Sequence, residues 1–224
     1  MDLCDKLLKG TVQAPFRIYG GHIYFEDLVK HVDDELRGAY DTLMSAQLVL
    51  LWTTVETLAG DLWEAAVNFH PQGLASMNAR GRATGQEGKS LPMSFLERNR
   101  YHIDDKMGTI LKEHRRTAFQ TFDNIKDTYQ DTFPPECRAS QDAFWDNRGV
   151  KTASAVRNLI VHRAGVVDDK FLRDCSGDSR VRGYNAGDQF YLDGESLSEL
   201  QRDLTFFASE LILEVDLWLD ANPS

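Results

Sequence analysis

Apolar residues over 25–69 recur at spacings of three and four, the period of a helix. Leu43, Met44, Leu48, Leu51, Val55, Leu58, Leu62, Ala66 and Phe69 carry the pattern. Leu50, Trp52 and Trp63 fall between them, so this helix is predicted to be central and covered on more than one side, with a break near Gly38. His70-Pro71-Gln72-Gly73 stops it. Residues 70–92 then run through Gly81, Gly85 and Gly88 with few bulky apolar side chains, the pattern of a flexible loop or insertion. Helical spacing returns over 107–111 and 118–129, and Pro134-Pro135 closes that section. A further helix is predicted over 142–163, interrupted near Gly149 and capped by Gly165. The segments 181–184 and 189–192 flank Asn185-Ala186-Gly187-Asp188 and read as a small β-hairpin. The last helix is predicted to begin at Ser196, with Glu199 completing a capping box. Leu197, Leu204, Leu211 and Trp218 recur along it every seven residues, a stripe for the bundle or for a partner. The predicted fold is all-α: an antiparallel helical bundle with a small hairpin before the last helix, forming a single domain over 1–224.

Composition narrows the classes. With 224 residues, 42% hydrophobic and 27% charged, the chain can bury a sizeable core. Its longest apolar run, 48–52, is five residues, well short of the ~18 expected of a membrane span. Residues 1–10 include Asp2 and Asp5 and lack a signal-peptide core, so a cytoplasmic location is the expectation. Cys4, Cys137 and Cys175 are odd in number and far apart, a pattern of reduced, partly buried thiols rather than a disulfide framework or zinc site. The net charge of −10 is unevenly spread: residues 193–224 hold eight acids and one base, whereas 147–182 hold eight bases and four acids. Residues 78–117 are likewise basic, with nine bases and five acids. The net charge does not suggest avid nucleic-acid binding. Two basic regions could still hold a short RNA strand, but solvated helix faces produce the same pattern, so the feature carries little weight.

The stretch that carries chemistry is Val156-Arg157-Asn158-Leu159-Ile160-Val161-His162-Arg163. On a helical wheel Val150, Ala153, Val156 and Ile160 form the core stripe, with Leu159 at its margin. Asn158 and His162, four apart, stack nearly opposite that stripe beside Lys151 and Ala155. Arg157 lies on the flank. A lone histidine is more often a satisfied core residue, and a lone arginine more often a surface ion-pair partner. Here His162 points away from the apolar stripe and shares its surroundings with an arginine and a carboxamide.

An arginine followed by a polar residue, with a histidine after four intervening positions, resembles the ribonuclease motif of the HEPN superfamily. The continuation Gly165-Val166-Val167-Asp168 and Phe171 looks like its RiboL-PSP type. The resemblance implies a metal-independent endoribonuclease that needs no cofactor. In that chemistry the RNA 2′-OH attacks the adjacent phosphorus, leaving a 2′,3′-cyclic phosphate and a 5′-OH. Arg157, Asn158 and His162 would be the catalytic residues, with Lys151 and Arg163 contacting RNA. Histidine exchanges protons near neutrality, and guanidinium neutralises a phosphorane with a fork of donors. One chain supplies one such histidine, and the family's answer is a homodimer with two motifs in one cleft. Family analogy also implies a toxin-like or defence role, with an antitoxin or regulatory protein as partner. Some HEPN toxins carry a modifiable tyrosine two residues after the histidine; here that position is Ala164. The alternatives are a non-catalytic HEPN module that binds RNA, nucleotide or protein, and an unrelated helical dimerisation protein.

Other features carry less. Residues 83–90 match a relaxed P-loop, with Ala83 in place of the first glycine, but no strand precedes them and Pro92 follows, the pattern of a flexible loop. Arg80, Arg82 and Lys89 give that loop charge for an RNA backbone. Glu56, Asp61 and Glu64 on the long helix read first as exposed helix carboxylates, with orientation of the motif across the bundle as the lesser reading for Glu56. His102 and His114 have no partner at metal-ligand spacing.

Overall fold

A computed structural model describes residues 34–74, 105–114 and 119–223, together with residues 97, 98, 100 and 103. Helix α1 (Asp34–Phe69) runs without interruption through Gly38. Its buried positions, Met44, Leu48, Trp52, Val55, Ala59, Trp63, Ala66 and Val67, keep the helical period, but the buried face is turned from the predicted one. Leu51, Leu58 and Leu62 are half-buried, and Leu43, Leu50 and Phe69 are exposed, so Trp52 and Trp63 define the core side. The stretch Gly38–Phe69 is long and apolar enough by composition to cross a membrane, an 18-residue window within it reaching a mean hydropathy of 1.2, which the count of consecutive apolar residues did not register. In the fold, α1 supplies the centre of one contiguous core, with Trp52 and Trp63 fully enclosed. Each large side chain so buried contributes about 1.5–3 kcal/mol.

The residues that stop α1 themselves form the short helix α2 (Pro71–Leu74), so the predicted 70–92 loop begins as helix and seats Leu74 in the core. The rest of the predicted 70–92 loop, including the P-loop-like residues, lies outside the described residues, as does the 25–33 part of the first predicted helix. Helix α3 (Met107–His114) is antiparallel to α1: Gly108 N–H donates to Asn68 Oδ1, and Lys112, one turn on, reaches back to Asp61 and Glu64. Helix α4 (Phe122–Thr132) closes over the core, with the Tyr129 hydroxyl on the Ala59 carbonyl. Short 3-10 turns Arg138–Ser140 and Asp142–Trp145 then lead to α5 (Arg148–Arg163), so the predicted interruption before Gly149 is a change of helix type.

The predicted antiparallel arrangement needs correction for the two longest helices. Helix α7 (Gly194–Ala221) runs parallel to α1: Tyr40 sits against Gly194 at their starts, and His70 packs on Trp218 at their ends, ring centroids 5.3 Å apart. Short loops force neighbours antiparallel, but more than a hundred residues separate these two helices and leave either direction open. Leu197, Leu204 and Leu211 are buried in the bundle, which assigns the heptad stripe to the core. The helix also starts earlier than predicted. Asp193 is the N-cap, accepting from Ser196 N–H, so Ser196 lies in the first turn rather than at the cap.

No hairpin ladder joins 181–184 to 189–192 among the described residues. Val181 closes a 3-10 turn (Ser179–Val181) capped by Asp178, and the backbone of 187–190 pairs with 165–167 instead, around a single bridge between Val166 and Gln189. The hydrogen-bonding edge of the second predicted strand is thus spent on the segment that leaves α5.

Candidate functional site

Helix α5 is fixed at both ends. Asn147 caps its N-terminus through Val150 N–H. At its C-terminus Ala164 and Gly165 adopt positive φ, 51° and 79°, and Gly165 N–H returns to the Leu159 carbonyl. Gln189 fills the space a Cβ at Gly165 would need and donates to the Ala164 carbonyl at 3.0 Å. The turn bearing His162 and Arg163 is therefore clamped directly behind these residues.

The wheel placement holds in outline. Val150, Ala153 and Val156 are buried, and Leu159, predicted at the margin, is buried more fully than Ile160. His162 is exposed. It opens onto a cleft of about 310 Å³, whose wall includes Ala155, Leu159 and Phe171. Asn158, His162 and Arg163 line it from α5, and Asp168, Lys170 and Asp174 line it from the segment of helix α6 (Asp169–Asp174). Asp168 caps α6 through Phe171 N–H and also pairs with Arg163 at 3.4 Å. Lys170 pairs with Asp174 one turn on, and that hydrogen bond holds its ammonium above the ordinary lysine range.

Arg157 does not line this cleft. Its side chain is 18% exposed and faces α1, where Nη2 lies 3.4 Å from Glu56 Oε2. Nη1 donates to Asn158 Oδ1 at 3.0 Å, while Nε is buried and finds no partner among the described residues. Glu56 also accepts a 2.6 Å hydrogen bond from Trp52 Nε1. Burial raises the Glu56 carboxyl above its ordinary value, against the lowering effects of Trp52 and Arg157. A guanidinium has donors alone, so its bond to Oδ1 fixes the Asn158 carboxamide and leaves Nδ2 as that residue's remaining donor group. The chain Trp52–Glu56–Arg157–Asn158 thus runs from the core to the cleft beside His162.

Of the residues singled out by sequence, the fold gathers Asn158, His162 and Arg163 in the cleft, sets Arg157 behind them with Glu56, and leaves Lys151 outside. Lys151 stands 5.9 Å over the Phe122 ring. Asp61 and Glu64 hold Lys112 and form no part of the site. Asp168 and Phe171 appeared only in the family-like continuation of the motif, and Lys170, Asp174 and Thr121 were not singled out; for Lys170 the one hint was the basic balance of 147–182. Among the described residues no three His, Cys, Asp or Glu side chains converge as a cation site. Cys137 and Cys175 are free and buried, and Cys4 lies outside the described residues. The chain matches no family model, no curated protein and no solved structure.

Proposed function

We propose that the chain is a HEPN-type, metal-independent endoribonuclease acting as a homodimer in the cytoplasm. The observation that carries this reading is an exposed His162 at the mouth of a cleft, one turn from an Asn158 whose carboxamide is fixed by Arg157. His162 takes the proton from the attacking 2′-OH, or returns one to the departing 5′-oxygen. Asn158 Nδ2 donates to a phosphate oxygen. Arg157, one bond behind, lends positive charge to the phosphorane through Asn158, or directly if it turns outward. The two proton transfers need two groups, and a two-fold dimer supplies the second histidine. A toxin-like or defence role with an antitoxin or other regulatory protein accompanies this reading by family analogy.

The test is incubation of purified protein with mixed RNAs in excess EDTA, followed by mapping of the ends. Cyclic-phosphate and 5′-hydroxyl termini are expected, and their loss in His162→Ala. Activity that vanishes with chelator and returns with Mg²⁺ would point to a carboxylate–metal nuclease.

One observation favours a second reading, a non-catalytic HEPN module that binds RNA, nucleotide or protein. Arg157 is engaged inward with Glu56 rather than presented to the cleft. RNA binding without cleavage by wild-type protein would select it.

A further inference from the structure

The cations that line the cleft are not free. Arg163 is paired with Asp168 and Lys170 with Asp174, so carboxylates of the α6 segment occupy the positions a phosphate would take. Both pairs are solvent-accessible: the side chains of Arg163 and Lys170 are 64% and 73% exposed, those of Asp168 and Asp174 36% and 42%. Pairs of this kind are weak and open readily. Lys151 and Arg157, the other cations assigned to substrate, face Phe122 and Glu56 instead.

Resting on the ribonuclease reading of this cleft, we infer that Lys170, together with Arg163, contacts the RNA phosphates, and that Asp174 and Asp168 are built-in competitors which the strand must displace. A cleft of about 310 Å³ lies at the small end of the ~300–1,000 Å³ range for ligand sites, room for about one nucleotide of a single strand rather than a duplex. The apolar wall of Ala155, Leu159 and Phe171 suits the ribose or base face, and the paired cations suit its flanking phosphates. The arrangement makes opposite predictions for the two members of one ion pair. Removing Lys170 costs a phosphate contact. Removing the charge of Asp174 frees Lys170 and takes an anion out of the path of the strand.

The experiment measures fluorescence anisotropy of a labelled decauridylate with full-length protein carrying His162→Ala, which prevents turnover. Into this background go Lys170→Gln, Asp174→Asn and Asp168→Asn; the last keeps a side chain able to cap α6. Thermal melts establish that each variant is folded. Lys170→Gln is expected to weaken binding and to reduce the slope of log affinity against log salt by about 0.7, the value of one single-strand phosphate contact. Asp174→Asn and Asp168→Asn are each expected to tighten binding about two- to five-fold, the range of an exposed ion pair no longer competing. If Lys170→Gln and Asp174→Asn both weaken binding, the pair merely holds α6 and the inference is overturned. If neither changes affinity or slope while the background protein binds, the inference fails and the ribonuclease reading stands. If the background protein and wild type bind no RNA at all, both fall together.

Discussion

Neutralising Arg157 should destabilise the fold in a pH-dependent way, and the size follows from its surroundings. Consider Arg157→Met, which keeps much of the buried stem and deletes the charge. In a fully buried pair, loss of one partner costs about 3–5 kcal/mol because the other charge is left unpaired. Here the side chains of Arg157 and Glu56 are 18% and 15% exposed and the contact is 3.4 Å, so water takes up part of that loss. The unsatisfied Nε, itself a cost of about 1–3 kcal/mol, disappears with the guanidinium. The expected net loss is about 1–3 kcal/mol at neutral pH. Glu56 gives the sign of the pH dependence. Burial raises its pKa while Trp52 and Arg157 lower it, so removing Arg157 lets it rise further. The folded variant then holds a proton that the unfolded chain has released, over a window that begins near 4.5 and extends upward. Its stability relative to wild type therefore falls as pH rises through that window. The deficit should be smaller at about pH 5 than at about pH 8. Urea titration followed by tryptophan fluorescence suits the measurement, since Trp52 donates to Glu56 directly. A deficit within about 0.5 kcal/mol of zero and equal at both pH values would refute the argument. It would mean that Arg157 is not held by Glu56 in solution.

His162→Ala should leave stability within about 0.5 kcal/mol, since the ring is exposed, while abolishing cleavage; after full subunit exchange with wild type, activity should fall as the square of the wild-type fraction, whereas a linear fall means independent sites. Burial pushes the Cys137 thiol to about 11 and Cys175 to about 12, so alkylation of the native protein at about pH 8 should be slow and track global unfolding; rapid labelling of either would contradict their enclosure. Burial also acts to raise the Asp178 carboxyl, but hydrogen bonds from Arg180 and Thr152 outweigh it and hold it at about 2, below its ordinary 3.8. Its stabilisation is complete above 3.8 and fades as pH falls toward 2, so Asp178→Asn should flatten the acid-unfolding profile in that window.

Much of the helical frame was legible because it rests on local rules. The apolar period of α1 and the heptads of α7 record which side of a helix loses water. Leu197, Leu204 and Leu211 are buried as the stripe requires, and α1 keeps the period although its buried face runs through Trp52 and Trp63 rather than through Leu43 and Phe69, which are exposed. The motif helix was readable for the same reason, down to the outward direction of His162 and Asn158. Misreadings arose where long-range pairing decides. Gln189 and Phe190, the start of the second predicted strand, found their partners at 165–167 together with 187–188, a choice that local pattern cannot make. The parallel course of α1 and α7 is a property of the long connection between them, not of either helix. Ser196 had the composition of a cap, but Asp193 stood three residues upstream with the same capacity and won. Lys170 was invisible for a different reason: the helix that carries it spans six residues, too few for any period to show.

The site separates into two layers with different physical demands. Glu56, Arg157 and the amide of Asn158 form an inner layer, tied to Trp52 and therefore to the core, where every change is also a change in stability. His162, Arg163 and Lys170 form an outer layer, exposed and, for the two cations, weakly paired, where changes bear little on folding and, on the proposed function, bear on substrate. Within one subunit the outer layer has a single histidine, and two carboxylates offset its permanent cations. A polyanion gains little net attraction from such a cleft alone. Bringing two copies together doubles the histidines around one phosphate, but it also doubles the carboxylates that compete for the cations. A composite site can work only if RNA displaces those carboxylates as it enters. If the proposed ribonuclease reading holds, dimer formation and the opening of the Lys170–Asp174 pair are parts of one requirement: the first would supply the second proton-transfer group, and the second the charge that holds the strand against it.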